Sequence, residues 1–420
     1  NASNGASDYG NKIGEPIIGG FTRSFGLNLN NEKIEYIKPI MFSAGLGCIN
    51  KTHNFKNEPK RNNVIVRIGG PAYKIGLGGG FSSSIDNDQS RKHLDLSAVQ
   101  RGDPQMGNKL NRVIQTLIDL DEFNPIISIH DQGAGGLANV VKEIVYPNGA
   151  EIYLDNVTCG DSSLKPLEIW CSEFQESSVI LIDNQNISIL EKICNRENVI
   201  FDKIGYINDS KKIVVNYNGN IIIDLPLQPV LEPEIQKTYI LEEKNINFKE
   251  YELPDNLNFD TVLKNVLSCI DVGSKRFLTN KVDRSVTGLI VQQQCVGPFH
   301  TPISNYSLIS LSYFDIKGIA SAIGEKPYLG ITSPISQGSM TVGEMVTNMM
   351  GCYIENLSNI KCSANWMWPL KCKGESFKLY QTALSMCNTL KELNIGIDGG
   401  KDSLSMSVKY KDKIIKSPGN

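Results

Sequence analysis
The stretch that most limits what this chain can fold into is Ile126–Leu137, IISIHDQGAGGL, where a short apolar run stops at His130 and Asp131 and passes into Gly133, Gly135 and Gly136. A short apolar run bounded by turn signals reads as a buried strand, and glycine permits the tight backbone path that precedes a helix. Helical spacing resumes over Leu137–Val145, so the stretch is one strand–turn–helix unit. In open α/β sheets ligands bind outside the carboxyl ends of strands, which makes Asp131 a candidate for a site; the plainer reading is that Asp131 caps the helix. The pattern returns at Ile395–Met406, IGIDGGKDSLSM, where a strand ends in Asp398 and two glycines lead to Lys401, Asp402 and Ser403, a second candidate phosphate-facing turn. Between the two copies, Leu225–Asn258 carries Pro226, Pro229, Pro233 and Pro254 among charged residues and reads as a linker.

Composition narrows the partners. A chain of 420 residues has room for two or three domains. With Lys+Arg at 42 against Asp+Glu at 45 it has no global charge footprint for nucleic acid or an anionic membrane, so any phosphate binding is local. The ten cysteines lack CxxC spacing and mostly fall within apolar strand or helix patterns, which fits reduced thiols in a cytoplasmic protein better than a disulfide framework. No apolar run approaches the roughly 20 residues of a membrane span. With no signal-peptide character at the amino end and no Met at position 1, the chain reads as a segment of something larger.

In chain order, Pro16–Phe25 and Pro39–Cys48 read as strands at the tail of a domain that begins upstream. Val64–Ile68, VIVRI, is a strand, and GGPAYKIGLGGGFSSS after it either cradles phosphate with backbone N–H groups or is a flexible surface loop. Asp103 and Pro104 supply an N-cap and first position for a helix with Met106, Leu110, Val113, Ile114, Leu117 and Ile118 on one face. Gln100 lies just upstream, as an anion-side residue or a solvated one. Ser163–Ile182 reads as two strands broken by Glu173, Gln175 and Glu176, which mark a bend or turn into a site. Asn218-Gly219 centres a hairpin. Beyond the linker, helical spacing runs from Phe259 to Ile270, strands are expected at 289–291, 306–312 and 328–331, and a helix at 341–354. On that helix Glu344 and Asn348 share a face, either as joint magnesium ligands or as a solvated polar pair. Cys362–Trp368 reads as packing, and Phe377–Leu393 as an amphipathic helix.

Eight phrases, in order, carry more than any of these spacings: GGPAYKIGLGGGFSSS, LDLSAVQRGDPQM, HDQGAGGLANV, PLEIWCSEFQES, DRSVTGLIVQQQCVGP, VGEMVTN, CSANWMW and DGGKDSLSM. Together they resemble the synthetase portion of the large, single-chain phosphoribosylformylglycinamidine synthases, glutamine- and ATP-dependent ligases of purine biosynthesis. The resemblance covers essentially the whole chain and only about the middle third of the family's long form. It implies an α/β fold with mixed sheets, a tandem pseudo-twofold repeat of the aminoimidazole ribonucleotide synthetase-like fold. On that plan residues 1–57 end a first A-type unit, 58–225 form the first B-type unit, 226–257 are linker, and 258–420 form the second A-type unit running into the start of a second B-type unit.

The resemblance also implies roles. Gln100, Glu173, Gln175 and Ser403 would contact the ribonucleotide, while Ser304, Gly400 and Lys401 would face ATP or its phosphates. Asp131 would bind magnesium, and Glu344, Asn348 and Asn305 would ligate magnesium at an auxiliary site holding a structural ADP. At position 305 many relatives carry Asp, so Asn305 removes a negative charge from that shell. The implied reaction converts formylglycinamide ribonucleotide to its amidine through an iminophosphate attacked by glutamine-derived ammonia. No residue here is assigned as catalytic, because the family's histidine motif lies upstream and its glutaminase domain, expected in the same full-length and monomeric chain, lies elsewhere. The segment alone is expected to be inactive. Two competitors stand beside this reading: a scaffold or paralogue without turnover, and another ATP enzyme of the superfamily such as selenophosphate synthetase, against which the unbroken order of phrases argues.

Overall fold
The computed structural model describes residues 2–38, 43–75, 102–232, 236, 238–243, 252–279, 286–292, 295–300, 304–411 and 413–420. The described residues of 1–45 and 239–420 form one compact unit, and those of 46–238 another.

In the second of these, a seven-stranded sheet runs in the order β4-β6-β3-β7-β5-β8-β9. Its strands are β3 (Val64–Gly69), β4 (Ile126–Asp131), β5 (Gly149–Tyr153), β6 (Ser177–Ile182), β7 (Ile200–Asn208), β8 (Lys212–Tyr217) and β9 (Asn220–Pro226). Neighbours are antiparallel except β5 and β8. Every residue of β3 is buried because helices cover both faces. Val64, Val66 and Ile68 pack with Leu110, Val113 and Leu117 of helix Pro104–Ile118 and with Leu190 and Cys194 of helix Ile187–Glu197. Ile65 packs with Val140, Val141 and Ile144 of helix Gly136–Val145 and with Trp170. The Asp103 cap forms as its sequence requires: the carboxylate accepts from the N–H groups of Gln105 and Met106. Asn218 and Gly219 both have positive φ in the β8–β9 turn.

The other unit holds three smaller sheets. In the four-stranded one, the order is β1 (Gly26–Leu29), β2 (Glu32–Glu35), β16 (Lys413–Lys416), β15 (Ser407–Tyr410), with β2 and β16 parallel. A three-stranded meander comprises β10 (Ile290–Gln292), β11 (Tyr306–Ser310) and β12 (Gly318–Ala322), and a parallel pair joins β13 (Lys361–Met367) to β14 (Gly396–Ser403). Helices Pro334–Asn348 and Glu375–Glu392 pack together so closely that a Cβ at Gly338 would collide with the Thr382 carbonyl oxygen. Val342, Ile360, Leu390 and Ile395 form the core there.

Several sequence expectations are corrected. The expected strand at 16–25 is not one, nor are the described residues 43–48 of the second; residues 39–42 lie outside the described part. The hairpin instead occupies 26–35, at polar residues whose Asn30-Asn31 turn has positive φ at both positions: turn chemistry outweighed hydrophobicity. Pro166–Cys171 is a short helix rather than a strand, opened by proline at its first position and by Glu168, which accepts from the Lys165 N–H. Residues 329–332 form a helical turn, not a strand, and the following helix begins at Pro334 with Ser333 as its cap. Asp398 to Ser403 is not a glycine turn: the whole run is strand, and Gly400 admits the Ala364 carbonyl where a Cβ would clash.

Candidate functional site
One end of the seven-stranded sheet collects acids. Antiparallel pairing sets Asp131 opposite Ser178 and Gly69 opposite Ser177, so the ends of β4 and β3 meet the loop 172–176 that enters β6. The loop is clamped from beneath. Buried Gln132 donates its backbone N–H to the Ser177 carbonyl at 2.9 Å and accepts from the Ser177 hydroxyl at 2.9 Å. Gly136, at φ +59°, lies so close to the Ser172 carbonyl that a Cβ would overlap it. This glycine therefore serves helix-to-loop packing rather than ligand approach.

Within the loop, Gln175 Nε2 donates to Glu173 Oε1 at 3.2 Å, leaving Glu173 Oε2 sheltered and without a hydrogen-bond partner among the described residues. Glu176 has φ +48° and likewise keeps a sheltered, unpartnered Oε2. Burial pushes its carboxyl above the usual range, opposed by a bond from the Asp103 N–H and assisted by the Asp103 charge. Asp131 is 89% exposed; His130 Nδ1 lies 2.7 Å from the Asp131 carbonyl oxygen and Nε2 lies 2.8 Å from Glu143 Oε2. The structure thus brings Asp131, Glu173 and Gln175 to one sheet end. Gln100 and most of the glycine-rich stretch lie outside the described residues.

The other predicted group behaves differently. Glu344 Oε1 pairs with Lys326 at 2.8 Å and its Oε2 accepts from the Glu325 N–H at 2.7 Å. Asn348 Nδ2 donates to the Ile323 carbonyl at 2.9 Å. Asn305 precedes Tyr306, whose register partner Ala322 is one residue before Ile323, so these positions do gather at one end of the β11–β12 pair. Ser304 is held by Gln292 Nε2 at 2.6 Å and by Tyr306. Lys401 is exposed on β14 beside Gly400 and donates to the Asp402 carbonyl at 3.1 Å, and Ser403 accepts from the Trp368 N–H through its carbonyl at 2.9 Å. Among the described residues no group of three or more His, Cys, Asp or Glu forms a metal-binding cluster. A cation at Glu344 would have to displace Lys326.

Two polar centres escaped the sequence reading. Arg67, fully buried on β3, bonds Asp202 at 3.0 Å; the only signal was a lone arginine within VIVRI. In the other unit, Arg23 joins Asp271 at 3.0 Å and Glu325, and lies over the Tyr328 ring at 5.9 Å. Burial raises the Glu325 carboxyl, with Arg23 opposing it, and raises the Tyr36 and Tyr328 phenols.

Residues 60–218 match the family described as AIR synthase related protein, C-terminal domain, and residues 274–419 match the FGAR-AT PurM_N-like domain. Residues 60–218 therefore carry an AIR synthase-related domain. The structure of PurLQS from Thermotoga maritima shares the fold at a TM-score of 0.68 and 18% identity, covering 99% of this chain and 61% of that one. In sequence the chain is 47% identical over 435 residues to the phosphoribosylformylglycinamidine synthase of Dictyostelium discoideum and 41% over 438 residues to that of Homo sapiens, each match covering 100% of this chain. The chain is thus similar over its whole length to phosphoribosylformylglycinamidine synthases, and it spans about a third of the length of these curated relatives, 32% and 33% respectively.

Proposed function
We propose that this chain forms part of an ATP- and glutamine-dependent ligase that converts formylglycinamide ribonucleotide to formylglycinamidine ribonucleotide. The observation that carries this reading is the match over the whole of this chain, at 47% identity, to part of a protein named phosphoribosylformylglycinamidine synthase. Solved proteins of the same fold are described as PurL complexed with FGAR and with ATP. In the implied reaction ATP phosphorylates the amide oxygen, and ammonia from glutamine, delivered by a glutaminase domain of the complete protein, displaces phosphate from the iminophosphate.

Within that scheme the residues of this chain bind and orient. Glu173, whose Oε2 has no hydrogen-bond partner among the described residues, Gln175 and Gln100 are the proposed ribonucleotide contacts of their unit, and Ser403 is that of the other. Gly400, Lys401 and Ser304 face the phosphates. Asp131, exposed at the sheet end, is the proposed magnesium ligand, where the ion would screen phosphate charge. Glu344, Asn348 and Asn305 are the proposed ligands of an auxiliary magnesium nucleotide, engaged once Lys326 releases Glu344. The setting we assign is the cytoplasm, which suits ten thiols found in no disulfide; no helix among the described residues is long and apolar enough to cross a membrane.

The test is glutamine-dependent ADP release by the full-length protein with formylglycinamide ribonucleotide. Turnover is expected, and Glu173→Ala should raise KM for the ribonucleotide roughly tenfold or more by removing a charge-assisted acceptor. Absence of ADP release from a folded full-length preparation would reject the reading.

A further inference from the structure
We propose that the buried Arg67–Asp202 pair is a positioning element: it fixes the exit of β3 against the loop carrying Glu173 and Gln175, and so sets ribonucleotide binding without touching the ribonucleotide. This rests on the reading of Glu173 and Gln175 as substrate contacts.

Two chains of bonds leave the pair. Arg67 Nη2 donates to the Gly70 carbonyl at 2.5 Å, and the Gly70 N–H donates to the Glu176 carbonyl at 3.1 Å, directly tying the β3 exit to the loop. Asp202 accepts from the Thr158 N–H at 2.9 Å and from its hydroxyl at 2.6 Å, and the Thr158 carbonyl accepts from the Ala72 N–H at 3.0 Å. The Ala72 carbonyl then accepts from the Gly160 N–H at 2.7 Å. One ion pair therefore pins the chain at Gly70 and again at Ala72, on the way into the glycine-rich stretch. Gly69, at φ +138°, passes where a Cβ would overlap the Glu176 carbonyl, so small movements at this crossing transmit directly to Glu176 and its neighbours.

Stability does not require such a pair. Taking two charges out of water costs several kcal/mol per ion, and apolar residues of similar volume commonly hold a core as well or better. Arg67 Nε, buried and without a hydrogen-bond partner among the described residues, adds to that cost. What apolar residues cannot reproduce is the hold on the Gly70 carbonyl and on Thr158.

The experiment compares the full-length protein with its Arg67→Met/Asp202→Leu double variant, which removes both charges together, and with Asp202→Asn, which keeps the shape, removes the carboxylate charge and leaves Arg67 buried without its partner. Thermal midpoint, amide exchange over 69–75 and 172–176, and kinetics are measured on each. The double variant is expected to fold, to lose amide protection at Gly70 and Ala72, and to raise KM for the ribonucleotide roughly tenfold while KM for ATP and kcat stay within about twofold. Asp202→Asn should fall between parent and double variant in exchange and KM, and should show the largest drop in thermal midpoint, because Arg67 is left buried and unpaired. A folded double variant with unchanged protection overturns the proposal, and so does unchanged KM in an active protein or failure of the double variant to fold while Asp202→Asn behaves normally. If the unaltered protein turns over no ribonucleotide, the functional reading fails, and exchange at Gly70 and Ala72 alone decides whether the pair positions the crossing.

Discussion
The two groups of acids in this molecule are satisfied in opposite ways. At the end of the seven-stranded sheet Glu173 and Glu176 each hold a sheltered oxygen with no partner among the described residues, and Asp131 faces solvent. At the β11–β12 end, both oxygens of Glu344 are occupied, one by Lys326 and one by a backbone N–H. The first arrangement keeps desolvated acceptors that a ligand's hydroxyls or a cation can complete; the second is already complete and yields to a ligand only by exchange. Unmade hydrogen bonds in a sheltered place are costly, and their concentration around one loop separates a binding surface from a structural one better than the count of acids does.

The sharpest way to break this contrast is at its buried support. Arg67→Ala leaves Asp202 in the core without its cation and should cost about 3–5 kcal/mol in denaturant unfolding of the full-length protein. A loss below about 1 kcal/mol would show that water reaches Asp202 and that the crossing is not dry. A smaller effect is expected at the clamp beneath the loop. Gly136→Ala adds a Cβ at positive φ against the Ser172 carbonyl and should cost about 1–3 kcal/mol. By contrast Gly343→Ala, in a helix interior with nothing within 4 Å of the added Cβ, should stabilise by up to about 1 kcal/mol. Equal signs for the two would erase the distinction between a glycine required by packing and one that is not.

The smallest effect concerns pH. The folded state holds the Glu176 carboxyl above its unfolded value. The protonated form is therefore favoured in the fold: its contribution is present below the unfolded value and is lost as pH rises through the raised one. Glu176→Gln, with no charge to bury, should gain stability over the parent at neutral pH and little or nothing in acid, read as the difference in unfolding midpoints across that range. A gain confined to acid would reverse the assigned cause.

Much of the fold could be read from local signals. The Asp103-Pro104 start, the Asn218-Gly219 hairpin and the strand at 126–131 all follow from capping, turn chemistry and periodicity that act within a few residues. The errors have a common origin. Pro166–Cys171 and residues 329–332 are short apolar runs, and in such runs periodicity does not separate strand from helical turn. The strand across Gly399 and Gly400 forms because β13 lies alongside, which no window around the glycines contains. The geometry of the candidate site was legible only as far as such local signals reach. Asp131 announced itself at the end of an apolar run. The crossing of Gly69 over Glu176 depends on residues more than a hundred positions apart and became visible only once both were in one sheet.

The parallel pairing of Lys33 with Ile415 and of Ile34 with Lys416 has a consequence in time. As the chain leaves a ribosome, β2 (Glu32–Glu35) emerges well before its sheet neighbour β16 (Lys413–Lys416), a wait on the order of tens of seconds at ordinary rates of synthesis. Until then the outer edge of β2 is an unfinished template on which another nascent chain could pair. Its sequence, EKIE, suits the delay: three of four residues are charged, and Lys33 and Glu35 form an ion pair at 2.5 Å. Charges on an edge discourage unwanted strand pairing, so these few residues guard a seam that closes only once β16 has been made.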